Sequence, residues 1–116
     1  MPREYHIEEE EILRVAHYIG TSVEPVFSDT DREYLLIKSL IEQAYERLYQ
    51  ATAVNWTEVH NPMVTDVVNG LCFISYYAMR DDAKNTTFLE RYVNSRIFDL
   101  QMTDESTAAR REQLDS

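Results

Sequence analysis

Residues 61–80 read NPMVTDVVNGLCFISYYAMR, an apolar run opened by Asn61-Pro62 and closed by Tyr77-Ala78-Met79-Arg80. Asparagine is a favoured helix cap, and a proline at the first helical position loses no hydrogen bond and brings a backbone angle already suited to the helix. The run therefore predicts a helix starting at Asn61. At 100° per residue, Asp66, Asn69, Gly70, Phe73, Tyr77 and Arg80 share one stripe, while Met63, Val64, Val67, Val68, Leu71, Cys72, Ile74, Ala78 and Met79 occupy the rest. A helix apolar on nearly all sides has to be buried. Two burials are open: enclosure by the chain's other helices, or insertion of Phe73 and Tyr77 into a neighbouring subunit, because large apolar patches mark contact surfaces.

Composition limits what surrounds this helix. With 116 residues the chain supports one domain with a single core. A hydrophobic fraction of 44% with eight Tyr, four Phe and one Trp is that of a folded globule, and only two Gly and three Pro argue against a strand-and-turn architecture. The net charge of -10 excludes wrapping by nucleic-acid phosphates, which requires clustered Lys and Arg. It leaves two readings, ordinary solubility or a surface along which a polyanion slides without sticking. Cys72 is the single cysteine, so no intramolecular disulfide or thiolate cluster can form, and it reads as a small core residue. The start, MPREYHIEEEE, is acidic where a signal peptide is apolar, and no stretch approaches the length of a membrane span. The expected setting at synthesis is intracellular and reducing.

Outward from residues 61–80, three further helices are legible. Residues 8–19 open with acids, carry Ile12, Val15, Ala16 and Ile19 on one side and stop at Gly20. After a loop containing Pro25, Thr30 and Glu33 stand in capping-box spacing, and a second helix runs through residues 31–52 with Leu36, Ile37, Leu40, Ile41, Ala44, Tyr45 and Leu48 on its apolar face. The connector AVNWTEVH (53–60) has an extended pattern, and its Trp56 either covers the end of the core or anchors a partner. Beyond the polar turn RDDAKNTT, Thr87 and Glu90 repeat the capping signal. In the helix that follows, Leu89, Tyr92, Val93, Ile97 and Leu100 share a face and Phe98 projects to the other side. From Thr103 the sequence turns polar, with Leu114 as its one large apolar residue. A helix this short is marginal alone, so the segment is either a frayed terminus or one that becomes helical against a partner. The expected architecture is all-α: a small four-helix domain over residues 1–102 and a C-terminal tail, 103–116, that orders on a partner.

Catalytic chemistry is not visible. His6, His17 and His60 lack the spacings that aim imidazoles at one metal, and the run Glu8–Glu11 points in four directions around a helix. A solvated first turn that complements the helix dipole accounts for it. No phosphate loop, nucleophile elbow or Ser/His/Asp grouping can be assembled. No metal, cofactor or enzymatic activity is expected. Gly70 inside a helix costs about 1 kcal/mol relative to Ala and predicts close packing of another helix there.

Three features together resemble a family, the small helical head-tail connector or adaptor proteins of long-tailed bacteriophages. The first is an acidic start followed by Leu-Leu and SLIEQAYERLYQAT, similar to the family's second helix with a Thr near its exit. The second is the Asn-Pro helix closing with Tyr77-Ala78-Met79-Arg80, similar to the family's apolar helix ending Tyr-x-x-Arg. The third is the order of elements, a short acidic helix, two long ones, a turn and a last helix with a tail. The likeness spans about residues 7–100. It departs where the family commonly has Gly-Arg after the Thr and this chain has Ala53-Val54, and in the long polar tail. The resemblance implies a structural virion protein: a ring of about twelve subunits beneath the portal, at the neck of a particle assembled in the host cytoplasm. Such a ring extends the DNA channel without sequence-specific DNA binding and offers a platform to the next neck or tail completion protein, with no membrane partner. Trp56, Phe73, Tyr77 and Phe98 are then candidates for the contact between subunits. The tail residues Thr103, Ala108, Arg110, Arg111 and Leu114 are candidates for contact with the portal. A competing reading is a small acidic helical binding module, a regulator or inhibitor acting on a basic partner surface.

Overall fold

The computed structural model describes residues 4–21, 23, 31–80 and 85–115. Every regular element among them is an α-helix: α1 (Glu9–Ile19), α2 (Arg32–Thr52), α3 (Pro62–Met79), α4 (Thr87–Gln101) and α5 (Asp104–Asp115). None of these helices is long and apolar enough to cross a membrane.

The ends of the helices follow from local chemistry. Glu9, Glu10 and Glu11 occupy the first turn of α1, where negative charge complements the dipole. Gly20 closes it at φ 94, its N–H donating to the carbonyls of Ala16 and His17 while Thr21 N–H also reaches Ala16 O at 3.0 Å. The cap of α2 is Asp31, whose carboxylate accepts the N–H groups of Glu33 at 2.9 Å and Tyr34 at 3.3 Å. Thr30, expected in that role, lies outside the described residues. Asn61 accepts Met63 N–H at 3.0 Å and Pro62 takes the first helical position of α3, as residues 61–62 predict. In α4 the cap sits one residue before the expected Thr87: Asn85 accepts Thr87 N–H, and Thr86 donates to Glu90.

The core is built around α3, which packs against α1, α2 and α4. Ile12 and Val15 of α1, Ile37, Ile41 and Leu48 of α2, and Val67, Val68 and Cys72 of α3 are enclosed together with Val93 and Leu100 of α4. At Gly70, α3 lies directly against Val93 and Leu89 of α4. A Cβ at Gly70 would lie 2.4 Å from Val93 Cγ2, so the close packing that this glycine predicts is answered within the chain.

Two segments differ from the expected pattern. Residues 53–60 form a turn, with Glu58 N–H donating to Asn55 O and Asn55 Oδ1 accepting from the N–H and hydroxyl of Thr57. Residues 104–115 form α5, a fifth helix where the sequence pattern gives a tail. The physical reason lies at its start. Thr103 and Ser106 both donate to Leu100 O, at 2.7 and 2.6 Å, and Arg110 Nη2 donates to Gln101 O at 2.5 Å, so α5 adds hydrogen bonds to the carbonyls at the end of α4. Ser106 is fully buried.

Candidate functional site

The nine residues that the sequence singles out fall into three environments. Trp56 belongs to the first and is enclosed, 4% exposed. Its indole N–H donates to Thr52 Oγ1 at 2.9 Å, and that hydroxyl donates to Leu48 O at 2.7 Å and accepts Val54 N–H. Within the chain Trp56 thus covers the end of the core, the first of its two readings.

Phe73 and Tyr77 make up the second environment. Both are half-buried, and both have partners within the chain on α1, which corrects their assignment as side chains that simply reach outward. The Phe73 ring meets Tyr18 edge-on at 5.8 Å and Tyr77 at 4.7 Å, and Tyr77 donates its hydroxyl to Ile19 O at 2.8 Å. Beside them Tyr76 and Arg80 converge on Glu33 of α2. Tyr76 donates to Glu33 Oε2 at 2.9 Å, Thr21 donates to the same oxygen, and Arg80 pairs with Oε1 at 2.7 Å while lying 4.4 Å over the Tyr76 ring. Burial raises the Tyr76 pKa; the Thr21 hydroxyl opposes this and Glu33 adds to it. The arginine that closes residues 61–80 therefore ties α3 to the start of α2. Tyr76, not Tyr77, carries it.

The third environment is the outer side of α4 and α5. Phe98 is 60% exposed, and it is accompanied by Phe88 at 84%, Met102 at 67% and the half-exposed Tyr92. Tyr92 was placed with the core face by its spacing, but the buried residues of α4 are Val93, Ile97 and Leu100. Thr103, just before α5, is half-buried; on α5, Ala108, Arg111 and Leu114 are exposed and Arg110 bonds back to α4. Thr107, Arg110, Arg111 and Leu114 line an open depression of about 330 Å³. Phe88 and Met102 escape the sequence reading because the core face of α4 already accounts for most of its apolar residues. The signal was available: residues 88, 92, 98 and 102 cluster on one arc of the helical wheel.

Two buried groups elsewhere hold their protons tightly. Burial, assisted by Glu11, pushes the Cys72 thiol up to about 12, so it is protonated and unreactive at neutral pH. Tyr45, buried and donating to Glu11 Oε1 at 2.5 Å, is raised in the same direction. His6 sits beside Glu8 at the exposed start, and His17 and His60 are exposed at separate places. No group of three or more His, Cys, Asp or Glu among the described residues is arranged to hold a metal ion. A cleft of about 170 Å³ between α2 and α3, lined by Leu40, Gln43, Ala44, Arg47, Leu71 and Ser75, has no paired acid and base at its floor.

Among the described residues the largest exposed apolar side chains gather on the outer side of α4, at Phe88, Tyr92, Phe98 and Met102. Comparison with family models, with curated proteins and with solved structures returns no match.

Proposed function

We propose that this chain is a structural virion protein, a head-tail connector that forms a ring below the portal, extends the DNA channel and carries the neck or tail proteins. The observation that carries this reading is the outer side of α4. A chain of 116 residues with a complete core still leaves Phe88 and Phe98 mostly in solvent, and patches of this kind mark contact surfaces. A ring subunit uses two different patches, one for each neighbour. Phe98 and the accessible edges of Phe73 and Tyr77 supply apolar area for them, while Trp56 acts from below by stiffening the exit of α2.

A detail of the backbone also favours the resemblance. Ala53 has φ 63, the left-handed conformation that costs a non-glycine residue about 1 kcal/mol. It occupies the position after Thr52 where the family commonly has glycine, and the buried Thr52 hydroxyl organises that exit. In this reading residues 1–102 build the ring and 103–116 meet the portal through Thr103, Ala108, Arg110, Arg111 and Leu114. α5 is held by polar contacts to the end of α4 and by packing on α2, where Ala109 meets the core and Gln113 reaches Tyr49; its single buried residue is Ser106, which suits a segment that exchanges these contacts for a partner's surface.

The test is reconstitution of the full chain with its cognate portal, followed by electron microscopy. A ring on the portal is expected, and removal of residues 103–116 should preserve the fold of α1 to α4 and abolish attachment. A chain that binds no portal and forms no ring with it would remove the proposal. The second reading, an acidic binding module, draws on the exposed Glu8, Glu9 and Glu10 at the start of α1. It predicts a salt-weakened complex of low stoichiometry with a basic partner instead of a ring.

A further inference from the structure

We infer that the outer face of α4 receives the acidic face of α1 from a second copy of this chain, an inference that rests on the ring reading above and names the two surfaces that meet. α4 is apolar on two sides. Leu89, Val93, Ile97 and Leu100 face the core, and at 100° per residue Phe88, Arg91, Tyr92, Ser95 and Phe98 fall within an arc of about 120° on the other side, with Met102 continuing it. Phe88, Tyr92 and Phe98 offer on the order of 400 Å² of aromatic surface. That is about half of what each partner contributes to a standard interface of ~800 Å² per side.

Charge selects the occupant. The molecule carries -10 overall, yet the charge left over at these aromatics is positive. Asp99 falls inside the arc and is paired by Arg96, which flanks it and lies 5.5 Å over the Tyr92 ring, while Arg91 within the arc is exposed and has no ion pair among the described residues. Glu90 is engaged by Thr86. The matching surface is therefore apolar and acidic, and this chain carries one. On α1, Glu9 and Glu10 stand one turn before Leu13, which is 38% exposed, and His17 continues that side, while Arg14 at its margin is paired with Glu11. Neither Glu9 nor Glu10 forms an ion pair among the described residues. α1 has 11 residues and α4 has 15, about 16 and 22 Å at 1.5 Å per residue, so the whole of α1 fits along the stripe. Because the two faces are different, the contact is head-to-tail and repeats from copy to copy.

Charge reversal in the full chain tests the pairing, with self-association followed by sedimentation both free and on the portal. Arg91→Glu alone, and Glu9→Arg with Glu10→Arg, should each weaken association about three- to tenfold. The chain carrying all three changes should recover it. Phe98→Ser should weaken association about tenfold or more while leaving circular dichroism and the melting curve unchanged. Normal assembly by every variant, or failure of the triple variant to recover, overturns the pairing and leaves the ring reading standing. Loss of portal binding by the α4 variants with self-association intact reassigns this face to the portal, which also overturns it. A chain that stays monomeric at every concentration and on the portal overturns both.

Discussion

Two helix exits in this molecule use the same chemistry and reach opposite ends. At the exit of α2, Thr52 donates to Leu48 O at 2.7 Å; at the exit of α4, Thr103 donates to Leu100 O at 2.7 Å. The first hydroxyl then receives the indole of Trp56, and the chain folds an aromatic ring over the end of the core. The second meets Ser106, and the chain continues into a helix whose single buried residue is that serine. Met102 and Leu114 remain in solvent beside it. Hydrogen bonds of this kind fix a direction, but apolar burial supplies most of the stability, so the α2 exit is expected to be a rigid part of the domain and α5 a weakly held one.

This contrast can be broken at several strengths. Trp56→Ala should cost about 3–5 kcal/mol, since it empties an enclosed aromatic site, whereas Leu114→Ala on the exposed side should change stability by less than about 0.5 kcal/mol. Urea unfolding of both variants checks this, and similar losses would erase the distinction. Thr52→Val keeps the shape but leaves the indole N–H without its acceptor, at a cost of about 1–3 kcal/mol. The matching Thr103→Val should leave the midpoint of global unfolding nearly unchanged and instead speed hydrogen exchange in α5. Equal shifts in the two midpoints would mean that α5 is as integral as the core.

Between these extremes lies the crossing of α3 and α4. Gly70→Ala gains helix propensity of about 1 kcal/mol but drives a Cβ into the stiff, buried Val93, where overpacking costs about 1–3 kcal/mol. A net loss of roughly 1 kcal/mol is expected, and Gly70→Ala combined with Val93→Ala should lose the clash term. The smallest effect concerns pH. Cys72 is shifted from 9.0 to about 12 in the folded chain, and Tyr45 and Tyr76 are shifted upward as well. Groups that hold their protons more tightly when folded stabilise the fold fully below their unfolded values. That contribution fades as pH rises above about 9. Thermal melts should therefore fall progressively on the alkaline side, and Cys72 should resist alkylation at pH 8–9 until the chain unfolds.

Much of the fold is written in local signals. Asn61-Pro62, Gly20 and the apolar spacing of Ile12, Val15, Ala16 and Ile19 define α1 and α3 because capping and periodicity act within a few residues. The missed helix α5 had a local signal too, Thr103 three residues before Ser106. Its low apolar content hid it, since a serine does not read as a core residue until a carbonyl at the end of another helix receives it. The candidate surface was half legible. Phe98 projects away from its own helix's core face, and Phe88 and Met102 share its arc once Tyr92 is taken off the core face, whereas Phe73 and Tyr77 read as outward until α1 is placed over them.

The sequence by itself determined that this protein is helical and acidic, with α3 too apolar to stand at the surface, because those properties depend on residue type and on spacing along one helix. Only the tertiary structure decided which apolar side chains remain available. Whether Phe73 is covered by Tyr18, Trp56 is closed in by Thr52, or Phe98 is left in solvent depends on which helices cross and at what distance, and those distances are set by packing between residues far apart in the chain.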